Sequence, residues 1–392
     1  LRRRDFALLL TAVFTVSLGY GVVLPVLPFF LARVLGERGS VSWHTGMLAA
    51  AYMFAVFIGA PLAGRIADQI GRRPVILVGL GGFSAALLVF GFSASLWVGY
   101  AARIAGGSFA AAVLPVALAY VSDTTVAASR ARRFAWMSAA SVMGFLAGPS
   151  VGGWLAGVSG TGSIPATALP FLTVASLGAL VWIFAWRCLS EPPAPVRAAT
   201  RAPMPRTTRL LLVLSLFVTF GIGGFEVGLT LHGQQHLKLS PAELGLMFFE
   251  CSLVMAIVDV LLFAPFADRF DGRAALAAAF AVMAIGLGWL AGATTSNGLL
   301  WRVGVIAASS GFILPLLTYR VSLAAGAAQA AMLGRQTAAT SLGQALGSAA
   351  AGWLFGAIGA AFFWVTAAVL IVGAGVVLAG GRSSRAQATH GH

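Results

Sequence analysis

Long apolar stretches, broken at short intervals by arginine, glycine and proline, set the pattern of this chain. Runs of spanning length fall at residues 6–31, 43–64, 74–93, 96–121, 134–157, 165–186, 209–231, 242–266, 274–293, 298–320, 333–355 and 360–380. A membrane helix needs about 20 consecutive apolar residues. In lipid, every backbone polar group must be satisfied within its own segment or by a closed barrel. These runs lack the alternation of barrel strands, so the pattern predicts an all-α integral membrane protein with twelve transmembrane helices. Arg2, Arg3 and Arg4 precede the first run as in a signal peptide, but the run is too long for an apolar signal core and shows no convincing cleavage site. It reads as a helix.

Composition supports that pattern. Of 392 residues, 59% are hydrophobic and 9% charged, and the mean hydropathy is +0.93, whereas soluble domains carry about 25% charged residues. A soluble enzyme is excluded. The net charge of +14 does not mark a nucleic-acid surface, because the basic residues punctuate apolar runs instead of gathering on a solvated face. They gather on one side of the membrane instead. Alternate loops hold Arg65, Arg72, Arg73, Arg130, Arg132, Arg133, Arg187, Arg269, Arg273, Arg320 and Arg335, and the others little more than Arg33, Arg38 and Lys238. The positive-inside rule then puts both termini in the cytoplasm. Cys188 and Cys251 are far apart and in no metal-ligand spacing.

One long polar stretch, residues 191–208, carries Pro192, Pro193, Pro195, Pro203 and Pro205 and reads as a cytoplasmic linker. It separates two six-helix halves, 1–190 and 209–392, which repeat each other. A shift of 200 residues puts Ala67-Asp68 on Ala267-Asp268, Arg73 on Arg273 and Pro115 on Pro315; a shift of 199 puts Arg103 on Arg302, and Gly144, Gly148 and Trp154 on Gly343, Gly347 and Trp353. Two parallel-related halves form a transporter architecture. The alternative of a channel lacks a filter-like loop or a charged ring.

Between the second and third runs stands Gly64-Arg65-Ile66-Ala67-Asp68-Gln69-Ile70-Gly71-Arg72-Arg73-Pro74. Its glycines allow a tight turn, Asp68 can accept from a helix N-terminus or an arginine, and Arg72 and Arg73 suit an anionic leaflet. The run resembles the signature loop of the major facilitator superfamily, with a degenerate second copy holding Asp268 and Arg273. In the fifth run, Gly144, Gly148, Pro149, Gly152 and Gly153 give small residues four apart, suited to close helix packing and a kink. That spacing resembles the antiporter motif of proton-coupled drug exporters. Gly19, Gly21, Pro25 and Pro28 in the first run, Arg103 with Gly106 and Gly107 in the fourth, and Ser122-Asp123 after it extend the likeness to twelve-helix drug:proton antiporters. The first half looks most similar to the tetracycline-exporter branch. It departs from that branch at Thr15-Val16-Ser17-Leu18, where those exporters carry an acid.

An ionisable side chain within a span costs a few kcal/mol and marks a site by default. Arg103, Glu226, Glu250, Asp259 and Arg302 qualify. Glu226 and Glu250 fall near one level of the membrane. They are the first candidates for proton coupling, since a carboxyl that takes a proton on one side, loses it on the other and binds a cation while ionised suffices for exchange. Each reads alternatively as a neutral interhelical bond or a static pair with Arg302. Asp259 reads as a gating or proton residue, with Arg335 a possible partner, and the resemblance gives Arg103 a part in proton exchange, against a tie to backbone carbonyls. Tyr20, Pro25, Tyr52, Phe225, Phe249 and Phe312 are candidate cavity residues beside Glu226 and Glu250. Gly64, Asp68, Gly71, Arg72, Arg73, Asp123, the glycine-proline motif, Asp268 and Arg273 are candidate gating residues. His232 and His236 read as solvated histidines of an outer loop.

Together these features imply a proton-driven exporter of small amphipathic, cationic or zwitterionic compounds, monomeric, in a bacterial cytoplasmic membrane. The alternative is an uptake symporter of the same fold. Neither an enzyme nor a nucleic-acid binder is expected. No cofactor is expected either: the proton gradient supplies the energy, and no glycine-rich, lysine-bearing nucleotide loop is present.

Overall fold

The computed structural model describes residues 2–36, 40–125, 127–157, 165–192, 206–263, 272–325 and 329–389. Among the described residues there is no strand. The helices are α1 (Arg3–Val23), α2 (Leu27–Leu35), α3 (Val41–Ile70), α4 (Arg72–Phe92), α5 (Leu96–Ala110), α6 (Leu114–Thr124), α7 (Ala127–Gly157), α8 (Leu169–Cys188), α9 (Arg206–Gln235), α10 (Pro241–Val258), α11 (Gly272–Leu290), α12 (Ser296–Ala325), α13 (Gln329–Ile358) and α14 (Phe362–Thr389). Eleven described stretches are long and apolar enough to cross a membrane. The last, Met332–Leu378, is 47 residues long and holds two spans, α13 and α14, which turn at Gly359, φ +58°. Counted as two, that stretch brings the spans among the described residues to twelve, as the apolar pattern predicts.

Proline explains where two spans break. The first divides into α1 and α2 at Leu24–Val26, with a proline in the opening turn of α2, and the fourth divides into α5 and α6 before Pro115. A proline in the first helical turn gives up an N–H that has no partner there anyway. Pro61, Pro149 and Pro315 are accommodated inside unbroken helices. Serine starts two others: Ser40 accepts from the Trp43 N–H at α3. At α10, Ser240 and Glu243 close a reciprocal box, with the Ser240 N–H donating to Glu243 at 2.8 Å and the Glu243 N–H to Ser240 at 3.3 Å.

The chain divides into two compact units, residues 1–202 with 239–249, and 203–238 with 250–392. Lipid offers no hydrophobic drive for helix association, so close van der Waals contact at small residues carries it. In the first unit α1 lies on α7. A Cβ at Gly148 would stand 2.7 Å from the Gly21 Cα, and one at Gly144 or Gly152 would strike the Phe14 or Val22 carbonyl. Gly153 faces Gly245 of α10. Gly107 leans on the Tyr52 carbonyl, joining α5 to α3.

The second unit repeats the device between α9 and α13. A Cβ at Gly343 would strike the Leu216 carbonyl, and one at Gly347 the Phe220 carbonyl. Gly223 faces Ser348 as Gly21 faces Pro149. The small-residue spacing of the fifth and eleventh spans therefore packs each against the first span of its own unit.

Candidate functional site

At one end of the first unit, the loop between α3 and α4 is the centre of a charged cluster. Arg72 is 6% exposed and bridges Asp68, near the end of α3, at 2.5 Å, and Asp123 of α6 at 3.1 Å. Glu191 sits on the N-terminus of α4, accepting from the Arg72 N–H at 2.8 Å and the Arg73 N–H at 3.2 Å. A carboxylate there satisfies free N–H groups and meets the positive end of the helix dipole. Arg73 donates to the Trp186 carbonyl of α8, and the Tyr120 hydroxyl to the Ser190 carbonyl. Asp68, Arg72, Arg73 and Asp123 are thus brought together in one cluster. Glu191, singled out by the sequence only as the start of the linker, closes the cluster.

Gly71 holds the turn at φ +102°, and a Cβ there would lie 2.5 Å from the Glu191 carboxylate. The left-handed region costs other residues about 1–2 kcal/mol. Gly71→Ala is expected to lower stability by at least that amount, seen as a lower melting temperature in detergent. Gly64→Ala provides the contrast, because a Cβ at Gly64 meets nothing within 4 Å.

Deeper in the same unit, Arg103 of α5 is buried beside aromatic rings. Its guanidinium lies 4.3 Å from the Tyr52 ring centre and 5.8 Å from that of Phe90, and its Nε donates to the Leu48 carbonyl at 3.3 Å. The tie to a backbone carbonyl is therefore made. Tyr20 packs against Tyr52 at 5.4 Å and Phe145 at 5.2 Å between ring centres. Of the candidate cavity residues, Tyr20, Pro25 and Tyr52 are buried in this unit, and Phe249 is 36% exposed on α10. Thr15, in the stretch that lacks a carboxylate, is buried, its hydroxyl donating to the Thr11 carbonyl at 2.7 Å. A buried carboxyl does occur in α1, ten residues earlier: Asp5 is 3% exposed, 3.9 Å from Arg4. It was not among the five ionisable residues expected within spans.

In the second unit Glu226 is buried in α9 and accepts from the Gln344 amide of α13 at 2.8 Å. Gln344 carried no signal in the sequence. Glu250, on α10, is half-buried, and its Oε2 is shielded from solvent with no hydrogen-bond partner. Both carboxyls are within electrostatic reach of the buried Cys251 thiol. No ion pair joins either to Arg302 among the described residues, so a static lock is not what the structure holds. Phe225 is buried beside Glu226, and Phe312 is half-buried in α12. Asp259 opens a π-turn at Asp259–Phe263 and makes no ion pair with Arg335. Asp268 lies outside the described residues, and Arg273 is exposed at the start of α11.

Of the two histidines, His236 is exposed just beyond α9, whereas His232 requires a correction. α9 runs on to Gln235, so His232 is not in a solvated loop: it is 3% exposed, and its Nε2 bonds the Ala293 carbonyl at 2.9 Å. The His236 ring stands edge-on to it at 5.1 Å. The apolar run ends at 231, but Gly233, Gln234 and Gln235 continue the helix without contributing hydropathy.

Twelve apolar spans among the described residues, in two units built on the same helix contacts, make this a multi-pass membrane protein, and its relatives make it a transporter and not an enzyme. The chain belongs to the Major Facilitator Superfamily, whose family model matches residues 9–260. It is 31% identical to the tetracycline resistance protein, class C, of Escherichia coli, over 86% of this chain and 82% of that protein. It is 27% identical to multidrug resistance protein 2 of Bacillus subtilis, over 95% of this chain and 94% of that one. Among solved structures, a bacterial homolog of the human lysosomal transporter Spinster, inward-facing and occupied, shares the fold with a TM-score of 0.82. It is 16% identical, over 97% of each chain.

Proposed function

We propose that this protein is a proton-coupled exporter of small amphipathic compounds, cationic or zwitterionic, working by alternating access in a bacterial cytoplasmic membrane. The observation that carries the proposal is a pair of carboxyls inside spans: Glu226 of α9, buried and accepting from Gln344, and Glu250 of α10, whose Oε2 is buried without a hydrogen-bond partner. Charge inside a span is costly and persists where it is used. A carboxyl that is neutral when protonated and attracts a cation when ionised makes proton and substrate compete for one group, and alternation of the two openings turns that competition into exchange. Gln344 holds Glu226 in place by donating to it, a bond either protonation state can accept. The relatives named for tetracycline and multidrug resistance favour export of such compounds over uptake of a nutrient. The arginine-rich loops favour a chain with both termini in the cytoplasm, and a monomer is the working unit of this proposal.

Expression in a drug-sensitive bacterium should lower the steady accumulation of a fluorescent amphipathic cation severalfold, and a protonophore should restore it. Accumulation that stays low after the proton gradient is collapsed would defeat proton coupling, and unchanged accumulation across lipophilic cations and tetracyclines would defeat the export of this class.

A further inference from the structure

Arg103 and Arg302 occupy matching places in the two units, 199 residues apart, yet they are held differently. Arg103 is clamped by the Tyr52 ring and the Leu48 carbonyl. The same offset carries Phe90 to Trp289, Leu48 to Met247 and Tyr52 to Cys251. Arg302 keeps the contact to its counterpart of Phe90, with its guanidinium 5.2 Å from the Trp289 ring centre. In place of the clamping tyrosine stands a small thiol, and the Arg302 Nε and Nη1 are buried without hydrogen-bond partners.

Beside that thiol is Glu250. Its Oε2 is also buried and has no hydrogen-bond partner, and its Oε1 lies 3.7 Å from where a Cβ on Gly304 would be, two residues along α12 from Arg302. α10 and α12 touch through their backbones, since a Cβ at Gly311 would stand 2.7 Å from the Met255 Cα. Two touching helices therefore carry an orphaned carboxyl oxygen and an orphaned guanidinium that do not meet. The guanidinium is turned the other way, with Nη1 4.0 Å from the Cβ position of Gly298, one turn back along α12. Gly298 and Gly304, on either side of Arg302, place no side chain in its path.

We propose that Arg302 is a positioning residue for Glu250: a mobile counter-charge that rests over Trp289 while Glu250 holds a proton and swings to the carboxylate when the proton leaves. An ionised carboxyl and an unpaired guanidinium attract strongly away from water, so the open arrangement fits a neutral Glu250. Other titratable side chains bear on the pair. From α9, Glu226 shares the Cys251 thiol with Glu250. Also from α9, His232 lies within electrostatic reach of Arg302 and of His236.

The inference rests on the proton-coupled reading of Glu250, and its test does not depend on transport. The lipophilic reagent dicyclohexylcarbodiimide modifies carboxyls in their protonated form, and peptide mass mapping of the full-length protein in lipid nanodiscs reports Glu250 alone. With the counter-charge gone, in Arg302→Gln, Glu250 labelling should persist to a pH higher by about one unit or more, a tenfold change in proton affinity. Arg302→Lys, which keeps the charge, should follow the wild type. Superposable curves for wild type and Arg302→Gln would overturn the proposal, as would an equal shift in Arg302→Lys, which would make the effect one of packing. A shifted labelling curve with no substrate-triggered proton movement in vesicles would defeat the exporter reading and leave the pair standing.

Discussion

Gly347→Leu is expected to leave little folded protein. A side chain at Gly347 drives into the Phe220 carbonyl of α9, and Gly343 sets the same helices against the Leu216 carbonyl one turn away. Overpacking usually costs about 1–3 kcal/mol and more where the neighbour cannot yield. Here the neighbour is helix backbone, so α9 and α13 must separate along their length, which also breaks the Gln344–Glu226 bond. Gly148→Leu should fail in the same way in the first unit, where the obstacle is the Gly21 Cα and the Leu18 carbonyl. Size-exclusion chromatography of detergent-extracted fusion protein checks both. Most of the monodisperse peak should be lost in each variant and kept in Gly64→Ala, and a wild-type peak for Gly347→Leu would refute the packing described for α9 and α13.

The second large effect is expected on transport, without a matching effect on the fold. Glu226→Gln keeps the shape of the side chain and can still bond Gln344 through its own amide. Glu250→Gln gives the orphaned position a neutral group of the same size. Both should melt close to the wild type, while substrate-triggered proton movement in proteoliposomes falls at least about tenfold in one or both, a loss of roughly 1.4 kcal/mol or more in coupling. Full proton movement in both variants would remove these carboxyls from the mechanism.

The parts of this molecule legible in its sequence are those that repeat along it or are set by near neighbours. Twelve apolar runs predict twelve spans because a bilayer imposes one length on every helix. The four-residue spacing of Gly144, Gly148 and Gly152 predicts close packing because it puts them on one helix face, and the structure turns that face to α1. Asp68, near the end of α3, and Arg72, the first residue of α4, stand on either side of the tight turn that Gly71 allows, and pair.

The parts not legible depend on what the fold brings from elsewhere. Gln344 is an uncharged residue in a stretch rich in alanine and glycine, and only the approach of α9 gives it Glu226 as a partner. Glu191 looks like the start of a solvated linker until α4 presents its N-terminus. Asp5 follows three arginines, one residue before the first apolar run, and the fold buries it. His232 lies beyond the last apolar residue of its run and is covered because the helix extends a further turn. In each case local polarity suggests water, and a distant segment supplies the burial.

The account stands most directly on the direction in which proton and substrate move. Purified protein in vesicles carrying internal and external pH reporters should be loaded with a labelled lipophilic cation or a tetracycline, with substrate and proton followed in the same sample. The exporter reading predicts opposed fluxes, with an inward proton gradient accelerating substrate efflux and added external substrate drawing protons the other way. Fluxes in the same direction would contradict it and make this protein a proton-driven uptake system built on the same fold.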